Sequence, residues 1–207
     1  MMSVTDIDGN THVRNCHHYT RAMGRWEPDA RGRMIAAAME LYAERGFEQT
    51  TAGDIAERAG VTERTFFRHF ADKREVLFDG SDVMAKAVYD AVVSAPDGAS
   101  PLDAALAGAA ATSAFLEDRR DHAVRRARIV AATPSLQERE LLKMAALTET
   151  VTEALRSRGV EEPAAGLAAH GAIAVFQVAF RRWAAEAEPP GFADCVADAA
   201  DSFRALC

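Results

Sequence analysis

Cysteine is scarce in this chain: Cys16, Cys195 and Cys207 are the only three in 207 residues. An odd, widely spaced set fits a reducing compartment better than a disulfide framework, so a cytoplasmic location is expected. Runs of β-branched residues are short, which disfavours sheet, while alanine and leucine dominate and favour an all-α fold. No signal peptide is recognised and no apolar run reads as long enough to cross a bilayer, so no membrane partner is expected. Nucleophile elbow, Walker loop, Rossmann fingerprint and HExxH pair are all missing. His122 and His170 are isolated from any acid partner. The chain is therefore read as having no catalytic residues, no enzymatic activity and no cofactor.

Apolar residues make up 49% of the chain, enough for a real core in one large helical domain or two small ones. The net charge is -7, unpromising for a nucleic-acid binder until its distribution is considered. Residues 28–78 hold eight Lys/Arg against nine Asp/Glu, and residues 1–27 balance at three each. Most of the excess acid therefore lies beyond residue 78. Within 62–74 four basic residues face two acidic ones. One short stretch is locally positive on an otherwise acidic molecule, which predicts specific DNA binding with weak non-specific binding.

That stretch belongs to residues 51–70, TAGDIAERAGVTERTFFRHF. It reads as two short helices joined by a tight turn. Ile55 and Ala59 lie one helical turn apart, Gly60 supplies a left-handed stop, and Thr62 is a good N-cap for the second helix. That helix buries Phe66 and Phe70 and leaves Glu63, Arg64, Thr65, Phe67, Arg68 and His69 on its other faces. Aromatics behind an outward set of Arg, Thr and His form the pattern of a helix-turn-helix recognition helix. An ordinary helical hairpin with a solvated face is the competing reading, and the flanks decide between them. MIAAAMELYAERGFEQTTAGDIAERAGVTERTFFRHFADKREVLF resembles the DNA-binding domain of the tetracycline-repressor (TetR) family. Gly46-Phe47, Thr50-Thr51, Ile55-Ala56, Ala59-Gly60-Val61, Thr65, His69-Phe70, Lys73 and Leu77 carry the register. Two positions depart from it: Phe67 stands where tyrosine is usual, and Arg64 where glycine or another small residue is common.

The resemblance implies an N-terminal three-helix helix-turn-helix domain followed by a C-terminal helical ligand-binding and dimerisation domain, about nine helices in all. Residues 1–27 read as a flexible arm, 28–78 as the DNA-binding domain, and 79–207 as the effector and dimer domain. In the arm, His12, Cys16, His17 and His18 match no closed zinc site, so no metal is expected. Arg14, Arg21 and Arg25 could reach the minor groove. The first helix spans 29–45 with Met34, Ala37, Ala38, Leu41 and Tyr42 inward. Thr50 or Thr51 caps the second, whose N-terminus favours a phosphate. Asp72 and Glu75 suggest a capping box, with Lys73 pointing where a phosphate would lie. The expected DNA contacts are Thr50, Thr51, Thr62, Glu63, Arg64, Thr65, Phe67, Arg68, His69 and Lys73.

Beyond residue 78, a fourth helix carrying Val83 and Val88 and bent near Gly80 is read as the lever between head and body. Residues 94–100 form a loop, and Ser100-Pro101 opens the next helix. Arg119, Arg120, Arg125, Arg126 and Arg128 read as a solvated face paired with local acids, an acidic-effector site being the alternative. A long helix follows over 133–158, with Leu141, Met144, Leu147, Thr148, Val151 and Leu155 on one stripe and Gly159 as its stop. The last two helices, within 163–207, carry small residues and an a/d seam. They predict a homodimer through Ala168, Gly171, Ala172, Val175, Phe192, Val196, Ala199 and Phe203. Effector contact is assigned to Leu106, Phe115, Met144, His170, Phe176, Gln177, Phe180 and Trp183. The function that follows is a sequence-specific transcriptional regulator, a repressor released from a palindromic double-stranded operator by a small, mostly apolar effector. The alternative is a chromosome-organising factor of the same fold with no effector.

Overall fold

A computed structural model describes residues 29–188 and 190–206. The arm read at 1–27, with its histidines, Cys16 and arginines, lies outside the described residues. Helix α1, Ala30–Arg45, begins where the Asp29 carboxylate accepts from Gly32 N–H and stops at Gly46, whose φ of 85° suits glycine. Met34, Ala37, Ala38, Leu41 and Tyr42 are all buried, as the spacing predicts. Helices α2, Ala52–Arg58, and α3, Glu63–His69, follow, joined by a turn through Gly60 at φ +67°. A 3-10 turn, Glu75–Phe78, closes this head by burying Val76, Leu77 and Phe78. Asp72 leads into that turn, its carboxylate accepting from Arg74 N–H at 2.7 Å and from Glu75 N–H at 3.3 Å. The reciprocal half of the box does not form, because the Glu75 carboxylate is taken by Arg139 at 2.8 Å.

Gly80, at φ +80°, interrupts the helix rather than bending it, and α4 runs from Ser81 to Val93. The body continues with α5, Pro101–Ala111, a single turn α6, Ser113–Leu116, α7, Arg120–Ala131, α8, Pro134–Ser157, α9, Ala164–Ala185, and α10, Phe192–Arg204. That makes ten α-helical segments among the described residues, against about nine expected. The extra break falls at Thr112, whose hydroxyl donates back to Ala109 O at 2.7 Å. Helices α4, α5, α8 and α9 pack around one core. α4 and α5 cross closely because Gly108 has no side chain; a Cβ there would stand 2.8 Å from Val92 Cγ2. Val83 and Leu141, expected inward, are 63% and 68% exposed. α9 corrects another expectation. Its 22 residues and mean hydropathy of 1.3 make it long and apolar enough to cross a membrane by length and composition. Its packing against α5, α8 and α10 is that of a core helix.

Head and body are not joined by α4 alone. Ile129, Val130 and Leu136, at the corner between α7 and α8, belong to the same buried cluster as Met34, Phe47 and Leu77. Arg126 reinforces that corner. Its Nε donates to Leu77 O at 2.6 Å, its guanidinium lies 4.8 Å from the Phe78 ring centroid, and it pairs with Glu140. The α7–α8 corner is therefore a second mechanical link, wedged into the head's own core.

Candidate nucleic-acid interface

The α2–α3 unit is set by its caps. Thr51 Oγ1 accepts from Asp54 N–H, and the Asp54 carboxylate accepts in return from Thr51 N–H at 2.8 Å. The Thr51 hydroxyl, donating to the same carboxylate at 2.7 Å, the Thr51 N–H and Arg45 at 2.8 Å together hold the Asp54 carboxyl below its usual range. Thr62 caps α3 by accepting from Thr65 N–H, and the two hydroxyls lie 2.9 Å apart. Phe66 and Phe70 pin the inner face of α3, at 0% and 4% exposure. Glu63, Arg64, Phe67 and Arg68 are left exposed on its outer face. Arg64 and Arg68 have no hydrogen-bond or ion-pair partner among the described residues, whereas Arg31, Arg58, Arg74 and Arg126 are all engaged. Two free guanidiniums on one short helix face are the strongest local feature of the head.

Three of the expected contacts are placed elsewhere. Thr50 is completely buried and its hydroxyl donates to Gly46 O at 2.9 Å, so its side chain holds the α1–α2 loop. His69 is half-buried; its Nε2 has neither exposed surface nor a hydrogen-bond partner among the described residues. Lys73 Nζ donates to Phe47 O and Thr50 O, both at 2.8 Å, and lies 4.1 Å from the Phe47 ring centroid. Tyr42 secures the same corner by donating to Lys73 O at 2.6 Å. Lys73 braces the loop that positions α2 instead of presenting a free ammonium to a phosphate. Lys73→Met is therefore expected to lower unfolding stability by about 1–2 kcal/mol, since charge-assisted bonds to two carbonyls are lost. Denaturant titration reads this directly. A variant of unchanged stability whose DNA-binding salt slope falls by about one unit would restore the phosphate role.

In the body, the seam read as a dimer interface is spent within the chain. Ala168, Gly171, Ala172, Val175, Phe192 and Val196 are buried in the protomer's own core, and Ala199 and Phe203 pack against it half-buried. Gly171 does permit a close approach, but the neighbour is Phe203 of the same chain, 3.0 Å from a Cβ placed there. The face left uncovered on α9 lies opposite, where Leu167 and Val178 are 71% and 49% exposed and His170, Ala174 and Gln177 are also exposed. His170 and Gln177 consequently cannot line an internal pocket; His170 Nδ1 lies 2.8 Å from Gly166 O.

A small apolar cavity of about 10 Å³ does lie inside the bundle. Val88, Ala105, Ala109, Leu147, Ile173 and Phe176 are among its walls, with Thr112 as the polar lining residue. Phe176 is thus the one expected effector residue on that wall. Leu106 is buried, and Phe115 and Met144 are half-buried. Phe180 and Trp183 join Phe176 and Phe192 in an aromatic cluster with centroids 5.3–6.4 Å apart.

Several supporting residues give no sequence signal. Glu117 accepts from Phe192 N–H at 2.9 Å and so caps α10 from far away in the chain. Arg158 donates to Val93 O, Ala95 O and Pro96 O at 2.6–2.9 Å and closes the loop after α4. Arg120 donates to Trp183 O at 3.1 Å with its guanidinium 5.4 Å from the indole centroid. In the basic cluster, Arg120 and Arg126 are internal braces rather than a solvated face.

Residues 34–79 match the family model described as bacterial regulatory proteins, tetR family, and residues 99–206 match the MftR C-terminal domain. The HTH-type transcriptional regulator TcmR of Streptomyces glaucescens is 42% identical over 74 residues, 36% of this chain and 33% of that protein. The chain thus aligns with about a third of TcmR. The HTH-type transcriptional activator FasR of Mycolicibacterium smegmatis is 27% identical over 165 residues, 75% of this chain and 72% of FasR. Among solved structures, Thermus thermophilus FadR, a repressor in complex with lauroyl-CoA, is similar in fold. Its TM-score is 0.52 at 23% identity, covering 84% of this chain and 93% of FadR.

Proposed function

The chain belongs to the TetR family of bacterial regulatory proteins, and from that footing we propose that it is a homodimeric, sequence-specific transcriptional repressor released by a mostly apolar small molecule. The observation that carries the DNA-binding half is the outer face of α3, where Arg64 and Arg68 stand without a partner among the described residues, over a core-anchored helix. A rigid helix presenting free guanidiniums is suited to the major groove, where arginine reads guanine by two parallel hydrogen bonds. A single head offers one such helix, so a palindromic operator needs a second copy. The exposed stripe of Leu167, Ala174 and Val178 on α9 is the face we assign to it.

For the effector half, the support is the small apolar cavity among α4, α5, α8 and α9. At about 10 Å³ it holds no organic ligand as it stands, so binding must spread those helices. α4 leads to the head through Gly80, and α7–α8 is wedged into the head's core. Spreading the bundle would therefore move both links together and change the distance between paired recognition helices. FadR, of similar fold, holds lauroyl-CoA, a ligand with a long apolar portion. A ligand shifts such an equilibrium only through its differential affinity for the two arrangements, and operator must weaken it by the same factor. Apolar compounds that raise the thermal midpoint should bind free protein roughly 5–150-fold tighter than operator-bound protein. Equal affinity for both forms across all hits would sink the switch while leaving DNA binding intact.

A further inference from the structure

Phe67 is the one large apolar side chain of the head, among the described residues, that is left mostly in water, at 52% exposure. Its ring stands edge-on to Phe66, with centroids 5.4 Å apart and planes at 87°. The inner edge is thereby held while the outer edge projects from α3. The position matters more than the exposure, because single exposed apolar residues are common. On a helix of about 100° per residue, Phe67 and Arg68 flank Arg64 on either side of the outward face. A phenyl ring thus sits within the proposed base-reading surface, and it carries no hydroxyl with which to bind a phosphate. The major groove offers such a group one apolar partner, the 5-methyl of thymine.

We propose that Phe67 reads a thymine methyl in each half-site. This rests on the regulator reading above and adds a base to it. Phe67 lies about 4.5 Å along the helix from Arg64, so the thymine neighbours the base read by Arg64 or lies one beyond it. Burying the methyl against the ring removes apolar surface from both partners, a gain that neither a cytosine nor a uracil at that position supplies.

The test uses the full chain and the duplex it selects from random DNA, with each thymine of a half-site replaced in turn by deoxyuridine, which removes only the methyl. At one thymine per half-site the wild-type protein should lose about four-fold in affinity, the worth of one buried carbon. Replacing both symmetry mates should cost about 16-fold if the half-sites act independently. Phe67→Ala, whose exposed ring makes a folded variant the expectation and whose thermal midpoint checks it, should bind thymine and uracil operators alike. Phe67→Tyr should keep the discrimination. If no single replacement weakens the wild-type protein, or if the loss persists in Phe67→Ala, the assignment is overturned. Failure of the wild-type protein to select any sequence is a different result and removes the regulator reading itself.

Discussion

Leu167→Glu combined with Val178→Glu is expected to give a folded monomer whose affinity for operator DNA falls by roughly 10²–10⁴-fold, the advantage that linking two binding modules confers. Both side chains are already exposed, at 71% and 49%, so the isolated protomer tolerates the charges. In a dimer the four carboxylates would meet across a desolvated seam without partners, which is costly. Sedimentation would show the monomer, and circular dichroism would show an intact helical fold. Val196→Glu makes the contrast. Val196 is 3% exposed inside its own protomer, and a carboxylate there is an unpaired buried charge. That variant should fail to fold rather than dissociate. A double variant that remains dimeric, or a Val196→Glu protein that folds as a monomer, would return the interface to the α10 seam.

Arg64→Ala should relax base preference at one position per half-site, by roughly 1–3 kcal/mol of discrimination, the worth of a good bidentate contact. Arg64 has no intramolecular partner among the described residues, so no fold stability is lost with it. Arg64→Lys separates charge from geometry. It keeps the cation and hence most of the salt dependence, but the ammonium cannot reproduce the planar fork. Selection from random duplexes should show the same single position degenerate in both variants, with affinity reduced more in Arg64→Ala. A variant that retains the parental preference at every position would leave Arg68 as the base-reading guanidinium.

The head was legible because its signals are local. Asp29, Thr51 and Thr62 cap helices within three residues, and Gly46 and Gly60 stop them. Phe66 and Phe70 fall on one side by helical periodicity alone. The misplaced head residues share a different physics. Thr50, His69 and Lys73 are polar, which suggested solvent, yet two of them satisfy backbone carbonyls that no spacing rule anticipates. In the body, periodicity identified the buried face of α10 but not what buries it. Phe192, Val196 and Phe203 would look the same facing a second copy as facing α9. The arginine braces were illegible for the same reason: Arg120, Arg126 and Arg158 reach carbonyls 49–66 residues away in sequence. The α7–α8 wedge in the head also depends on such long-range contact, through Ile129, Val130 and Leu136.

The central claim is sequence-specific recognition by a symmetric pair of heads, and footprinting the wild-type protein on its selected duplex at fixed salt tests it most directly. A bounded, palindromic footprint is expected, with half-sites about 34–36 Å apart, or a multiple of that spacing, on one face of the duplex. Protection that spreads with duplex length and ignores sequence would contradict it and support a DNA-coating role for the same fold.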